Sequence, residues 1–476
     1  MINLRRFFKK IGQFFAQTLL KGEFMQKVEF YDVVNKLIVP LFTGSYLSGE
    51  TESSPRDSEV ALGKNSTILL KPTKADDYRL ILKRGQAFKS FEVTLLKSIL
   101  GELYNLSLLN IEDKLYLRSL QNLAIEKALI ESLTESGAQT ILGIINSLEK
   151  WSTRTYEGEP VTLGIFVNLA QSADSVNPVI YSQIVNQDFF ALFTDGVSSF
   201  AEFDRAGFLM GYVNLKSPKV VPTVSPYYYD RVARVCNDKR VGITLTARGD
   251  ILIFYSRQLI FAKRNGSWCV YSHEEIIRLL YSNASYTAKQ IRRAIYNTAL
   301  DCSFAYKGAC LAYVDKDKTM EALSHINAAD IISEEYFDLK KELEIEEANK
   351  LYNLANAKEI LEKFSLSYEE FLDKYNYSKT IAIRKLVADK KLFELDRKLI
   401  EEMTSVDGAT IVGYDGTIIA VGAIIKIEAG SQGGGRLAAT KTMAKYGVAV
   451  KVSQDGIMQG YAADKHGNIK QIFNVG

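Results

Sequence analysis

A glycine-rich stretch, GGGRLAATK at residues 433–441, contains the residue types of an anion-binding loop. Glycine has no Cβ, so its backbone N–H groups are open to close approach by a ligand. The residues that follow favour a helix that ends at Gly447. The N-terminus of that helix would add its dipole, with Arg436 in or near the first turn. From composition alone, a phosphate-binding loop and a flexible surface turn both remain open.

The longer segment GSQGGGRL, residues 430–437, is close to the P-loop pattern GxxxxGK[ST] but departs from it. Arg436 stands at the lysine position, and Leu437 stands where a hydroxyl would bind Mg²⁺. A P-loop also needs a preceding strand and several βα units after it, for which too little chain follows. We therefore exclude a P-loop.

Two other short motifs place an aspartate beside a glycine. VDGA, residues 406–409, lies between a predicted helix and a predicted strand, and VSQDG, residues 452–456, ends a predicted strand. An Asp-Gly pair on its own usually forms a turn. The serine, glutamine and aspartate of the second motif could line a polar pocket or could only turn the chain.

The order of these motifs is more specific than any one of them. Helix, VDGA, hairpin, GGGRLAA, helix, strand and VSQDG follow one another, and this order resembles the nucleotide-binding domain of the diadenylate cyclases. The segment ALDCSFAYKGACLAYVDKD, 299–317, resembles the opening helix and strand of that domain. The resemblance covers residues 285–476 and implies an α/β fold, a mixed sheet flanked by helices. The charged, helical pattern at 317–390 predicts a helical insertion within this domain. Upstream, FTDGVSSFAEFDRAGFLMGY, 193–212, resembles the sensor domains fused to some bacterial cyclases.

The resemblance also implies roles for individual residues in making the second messenger cyclic di-AMP from two ATP. Asp407 and Arg436 would be catalytic, with Asp407 binding Mg²⁺ or Mn²⁺ and activating the ribose 3′-hydroxyl. The nucleotide-binding residues would come from all three motifs: Gly408, Ala409, Gly433, Gly434, Gly435, Arg436, Ser453, Gln454 and Asp455. Two protomers would meet face to face, each with one ATP, so a homo-oligomer is expected.

The chain departs from the family pattern at three places. The family's Arg-His-Arg motif falls on Gly435, Arg436 and Leu437, Val406 replaces a histidine, and Gln454 replaces an acidic residue. Each lost charge-assisted contact removes roughly 1.5–3 kcal/mol of transition-state stabilisation. The alternative function is therefore a catalytically inactive nucleotide-binding module that senses a nucleotide and acts through a protein partner.

Composition is ordinary for a globular protein of two or three domains. The chain has 476 residues, 47% of them hydrophobic and 24% charged. A net charge of +3 gives no reason to expect nucleic acid as a partner. Four cysteines without a CxxC pair and three histidines predict reduced thiols, no zinc site and a cytoplasmic location.

The composition and hydrophobic pattern along the chain predict four units. They are an amphipathic N-terminal helix at 1–30, a mainly helical region at 31–155, an α+β sensor module at 156–284 and the cyclase-like domain at 285–476. Residues 45–75 are polar and turn-rich and predict a loop or linker, whereas alternating apolar runs between 240 and 271 predict a β-meander.

The N-terminal residues 1–20 place apolar side chains at helical spacing with basic residues between them. Such a helix packs on its own domain or a partner subunit, or lies on an anionic membrane surface as a peripheral contact. A third possibility is an assembly protein whose functional end is this helix. No apolar run is long enough to predict a transmembrane helix.

Overall fold

The protein has a mixed α/β fold built on three main sheets, as expected from the sequence. The computed structural model describes residues 27–42, 44–64, 66–84, 88–109, 111–173, 177–216, 221–280, 286–350, 354–375, 377–387, 389–427 and 434–476. The predicted amphipathic segment at 1–20 lies outside the described residues, so its membrane or protein contact stays a prediction. In the part of the chain that the structure describes, no helix combines the length and the apolar character needed to cross a bilayer.

The α-helices that the structure describes are numbered in chain order. They are α1 Lys27–Val33, α2 Ser90–Ser107, α3 Lys114–Glu131, α4 Ala138–Trp151, α5 Tyr181–Ile184, α6 Asp230–Val235, α7 His273–Leu279, α8 Tyr286–Phe304, α9 Thr319–Ser324, α10 Glu334–Lys350, α11 Leu354–Lys363, α12 Tyr368–Lys374, α13 Ser378–Val387, α14 Arg397–Thr404 and α15 Gly435–Met443.

The strands are numbered in the same way. They are β1 Tyr46–Glu52, β2 Val60–Leu62, β3 Thr67–Leu70, β4 Tyr78–Lys83, β5 Thr155–Tyr156, β6 Glu159–Pro160, β7 Leu163–Asn168, β8 Ser199–Asp204, β9 Leu209–Asn214, β10 Arg240–Leu245, β11 Ile251–Tyr255, β12 Gln258–Arg264, β13 Ser267–Val270, β14 Ala309–Val314, β15 Ala409–Val412, β16 Ile418–Ala423, β17 Gly447–Val452, β18 Met458–Ala463 and β19 Ile469–Val475.

A four-stranded antiparallel sheet with the order β1-β4-β3-β2 occupies the region predicted as a loop. The prediction of a loop or linker over residues 45–75 is therefore wrong. Strand β1 is an edge strand with mostly exposed polar residues, so it has no alternation of apolar side chains to reveal it. Inner strands contribute Ile68 and Leu82 to the core that Leu96 of α2 also enters.

A seven-stranded sheet has the order β13-β12-β11-β10-β7-β8-β9, and only β7 and β8 are parallel in it. The predicted meander is confirmed as β10–β13, each strand antiparallel to the next. The turn between β12 and β13 has positive φ at Asn265 (49°) and Gly266 (76°), which is the type I′ geometry that joins twisted strands.

The six-stranded sheet, which contains the motifs discussed above, has the order β16-β15-β14-β17-β18-β19. Strands β14 and β15 are parallel, and the remaining neighbours are antiparallel. The predicted strand at β14 and the hairpin β15–β16 are confirmed. Along β14, Leu311 and Tyr313 enter one core while Cys310, Ala312 and Val314 enter another, so both faces of the strand are buried.

Helix α8 packs on the six-stranded sheet, and the core there is shared with the seven-stranded sheet. Ile291 and Ile295 of α8 are buried in one cluster with Phe254 of β11 and Val450 of β17. The opposite face of the six-stranded sheet is covered by α15 and by helices of the segment that follows β14. The two sheets are therefore joined by apolar packing around α8.

Candidate functional site

Three sequence motifs meet at one edge of the six-stranded sheet. Ala409 begins β15 and pairs with Ala423 at the end of β16. Ala309 begins β14 and pairs with Val452 at the end of β17. Because β14 lies between β15 and β17, the VDGA turn and the turn after β17 flank it at this edge. Neighbouring strands of a sheet lie about 4.8 Å apart.

Arg436, in the first turn of α15, lies over the same edge. Its Nη2 is 3.5 Å from Oδ1 of Asp407, whose side chain is 92% exposed. Its Nη1 lies 2.2 Å from the position that a Cβ on Gly308 would occupy. The guanidinium therefore rests on bare backbone at Gly308, and the Asp407 carboxylate beside it is open to solvent.

The glycines at the start of α15 leave their backbone accessible. Gly434 is the N-cap residue with a φ of 89°, a conformation that disfavours side chains. A Cβ added at Gly434 or Gly435 would meet no atom within 4 Å. The first N–H groups of this helix have no partner within it and can donate hydrogen bonds to an anion. Gly433 lies outside the described residues.

The predicted helix after the glycines is present and reaches its expected end. Helix α15 stops at Met443, and a 3-10 turn, Ala444–Tyr446, continues it to Gly447, which is the C-cap residue and begins β17 with an extended φ of 164°. A Cβ at Gly447 would lie 2.1 Å from the carbonyl oxygen of Tyr313. The predicted end of the helical segment at Gly447 is confirmed, but its backbone is not left-handed, and close strand approach is what requires a glycine there.

Gly408 and Ala409 have structural roles at the VDGA turn. Gly408 has a φ of 112°, and a Cβ there would lie 2.4 Å from the carbonyl carbon of Gly422. The side chain of Ala409 is buried in β15. Glycine thus brings the turn onto β16, and Asp407 is the side chain that the turn presents to solvent.

The VSQDG motif forms a closed turn between β17 and β18. Ser453 donates its hydroxyl hydrogen to the carboxylate of Asp455, and this bond holds the pKa of Asp455 below its usual range. The N–H of Gly456 donates to the carbonyl oxygen of Ser453 at 2.9 Å. Gln454 and Asp455 are both exposed at the tip, so both side chains are accessible to a ligand.

Two groups that contact segments next to the motifs were not predicted from the sequence. Lys379 of α13 donates to the carbonyl oxygen of Gly422 at 3.1 Å and to Oδ1 of Asp330 at 2.9 Å. It thereby adds a cation near the VDGA turn, since Gly422 contacts that turn. No local pattern could reveal it, because Lys379 belongs to a helix that only the fold brings to this edge.

His325 was also missed. Its ring bonds to the carbonyl oxygen of Lys426 through Nδ1 and to the hydroxyl of Tyr446 through Nε2, both at 2.8 Å. The backbone N–H of Lys426 donates in return to the carbonyl oxygen of His325 at 2.9 Å. A carbonyl only accepts, so Nδ1 carries the hydrogen and Nε2 can accept from Tyr446. This histidine ties the segment entering the glycine run to the turn that follows α15.

The acidic groups fit a cation that arrives with a phosphate ligand. Among the residues described, no group of three His, Cys, Asp or Glu side chains is placed to hold a metal ion. Mg²⁺ in nucleotide sites is held by one or two carboxylates together with substrate phosphates. Asp407 can supply one such carboxylate, whereas the described residues at this edge include no ligand set for a preformed, all-protein metal centre.

Three exposed apolar side chains, here called the rim, belong to the segments that border this edge. They are Val406, which precedes Asp407, and Ile424 and Ile427, which follow β16. Isolated exposed apolar residues are common, but several at one edge are typical of a contact surface.

No protein-family model, no curated protein and no solved structure matches this chain. The resemblance to diadenylate cyclases therefore rests on the order of the sequence motifs alone.

Proposed function

We propose that this protein is a diadenylate-cyclase-like nucleotidyltransferase that condenses two ATP into cyclic di-AMP under control of the module at 156–284. The observation that carries the proposal is the approach of Arg436 to within 3.5 Å of Asp407, beside the open backbone of Gly434. A guanidinium and a helix N-terminus at one sheet edge can bind the phosphates of a nucleoside triphosphate, and the carboxylate beside them can bind the cation that accompanies it. The order of the three motifs along the chain supports the same function.

The chemistry asks little of the protein beyond positioning. The 3′-oxygen of one ATP bonds to the α-phosphorus of the other, and the bond from that phosphorus to the β-phosphate oxygen breaks, releasing pyrophosphate. The 3′-oxygen of the second nucleotide then bonds to the α-phosphorus of the first, which releases the second pyrophosphate and closes the ring. Asp407 would take the hydroxyl proton and release it to solvent, since its carboxylate is exposed. Arg436 would hold the departing phosphates, and a divalent cation bound with them would neutralise their charge.

Ring closure needs two nucleotides facing each other, so one copy of this edge is not enough. The exposed rim of Val406, Ile424 and Ile427 supports a face-to-face homo-oligomer, because a second copy would cover these side chains. The expected assembly is symmetric, with each copy contributing one ATP.

The test is to incubate purified protein with ATP and either Mg²⁺ or Mn²⁺ and to detect cyclic di-AMP by mass spectrometry. Asp407→Asn should abolish the product without affecting the melting temperature, because this side chain is exposed. Asp188→Asn, which removes an exposed carboxylate from a turn that precedes β8, serves as the matched control. Absence of product with either metal at high protein concentration would refute catalysis.

A second candidate is a catalytically inactive nucleotide-binding module that acts through a partner. It is favoured by the neighbours of Arg436, since Gly435 and Leu437 supply no further charge. Binding of an ATP analogue whose α–β bond cannot be cleaved, combined with no product from ATP, would identify this function instead.

A further inference from the structure

Arg264, the last residue of β12, leaves its own sheet and contacts the candidate site. Its side chain is only 3% exposed. Nη1 donates to the carbonyl oxygen of Gly456 at 3.2 Å and to Oγ of Ser303 at 3.0 Å. Nη2 donates to the carbonyl oxygen of Ser303 at 3.0 Å. An arginine of the seven-stranded sheet thus bonds to the turn formed by Ser453–Gly456.

This turn is shaped around the arginine. Gly456 has a φ of 86°, and a Cβ there would lie 1.9 Å from Nη2 of Arg264. The hydroxyl of Ser303 in α8 also donates to the Gly456 carbonyl oxygen. The turn carbonyl therefore receives two buried hydrogen bonds, and water cannot easily replace either of them.

The other side of the guanidinium is held by the seven-stranded sheet and the loop after α8. Nε lies 3.6 Å from Oδ2 of Asp250, in the turn between β10 and β11. Tyr306 donates its hydroxyl hydrogen to the Asp250 carboxylate. The guanidinium also lies over the rings of Phe304 and Tyr306, at 4.6 Å and 4.7 Å from their centroids. The network is continuous from the β10–β11 turn to the Ser453–Gly456 turn.

We propose that Arg264 is a positioning residue that lets the seven-stranded sheet control nucleotide binding through the Ser453–Gly456 turn. Any displacement of β12 relative to α8 must move this turn or break buried hydrogen bonds. A ligand bound to the seven-stranded sheet would then change nucleotide affinity, and the reverse would hold equally. The nucleotide part of this inference rests on the proposed function, whereas the hold on the turn does not.

The test compares Arg264→Met with Arg84→Met. Arg84 is an equally buried arginine, 2% exposed, which pairs with Glu92 of α2 in the region of the four-stranded sheet. Both variants lose a buried ion pair, so both should melt at a lower temperature than the wild type. Only Arg264→Met should increase amide hydrogen exchange at residues 454–457 and weaken binding of the ATP analogue, by about tenfold. Arg264→Lys, with an intermediate effect expected, replaces the methionine variant if the latter fails to fold.

Each outcome decides the inference. Faster exchange at the turn together with weaker binding in the Arg264 variant alone supports it. Unchanged turn exchange, or an equal loss of binding in the Arg84 variant, overturns it. If the wild type does not bind the ATP analogue, the proposed function fails, and faster exchange confined to the turn still supports the hold by Arg264.

Discussion

Replacing Gly308 with alanine is expected to weaken nucleotide binding while the protein stays folded. The new Cβ would lie 2.2 Å from Nη1 and 2.8 Å from Cζ of Arg436. Non-bonded heavy atoms prefer separations of about 3.5 Å or more, so the guanidinium must retreat by about 1 Å. Gly308 does not have a left-handed backbone, and the atoms it would meet belong to the mobile end of a side chain. The free energy of unfolding should therefore change by less than about 1 kcal/mol.

The cost to binding follows from what Arg436 contributes. One charge-assisted contact to a phosphate is worth roughly 1.5–3 kcal/mol, which corresponds to a roughly 10- to 150-fold weaker Kd. The assay is calorimetric titration with the uncleavable ATP analogue. Gly101→Ala in α2 is the matched control, because a Cβ there also meets nothing within 4 Å and alanine favours the helix.

A double-mutant cycle isolates the cause. In an Arg436→Ala background, Gly308→Ala should have no further effect, because the side chain that it displaces is gone. Wild-type affinity in the Gly308→Ala single variant would show that the position of Arg436 on Gly308 is irrelevant to binding. An equal loss in both backgrounds would assign the effect to the backbone of β14 instead.

Three further predictions concern stability and reactivity. Burial lowers the pKa of His273 from its ordinary value of 6.5 to about 4. The contribution of the neutral ring to stability is therefore complete above pH 6.5 and is lost as the pH falls from 6.5 toward 4. Relative to His273→Gln, the wild type should lose about 2 kcal/mol of unfolding free energy between pH 7.5 and pH 5 in urea titrations, and parallel profiles would contradict this. Gly447→Ala should destabilise the protein by about 1–3 kcal/mol or more, because its Cβ meets the backbone of Tyr313 rather than a movable side chain; an unchanged melting temperature would exclude the clash. All four cysteines are buried and burial raises their thiol pKa, so an aromatic disulfide reagent should label them only after unfolding, and rapid labelling of the native protein would refute their burial.

Local sequence patterns predict those parts of the fold that local physics determines. The meander β10–β13 is evident because apolar runs alternate with turns such as Asn265–Gly266, whose backbone geometry few other pairs adopt. Strand β1 escapes prediction because its partner β4 supplies its hydrogen bonds while its side chains remain in solvent. Gly447 shows a related limit: the sequence correctly ends the helical segment there, but only the neighbouring strand shows why a glycine is needed.

The candidate site follows the same division. Asp407 and Arg436 could be named from motif order, and the fold brings them to 3.5 Å from each other. Gly308, Lys379 and Arg264 could not be named, since each acts through a contact with a residue far away along the chain. Sequence periodicity carries no information on such contacts.

The parallel strands β14 and β15 of the six-stranded sheet affect how the chain folds during synthesis. Strand β14 is apolar and buried throughout, but its partners β15 and β17 follow only after the helices α9–α14. At a synthesis rate of about 5–20 residues per second, β14 leaves the ribosome roughly 7–28 s before β17. The intervening helices can form early from local contacts, whereas β14 stays unpaired and prone to aggregate. Production of this protein should therefore depend on chaperones that bind apolar segments. Lower growth temperatures of the producing cells should raise the yield of folded chain.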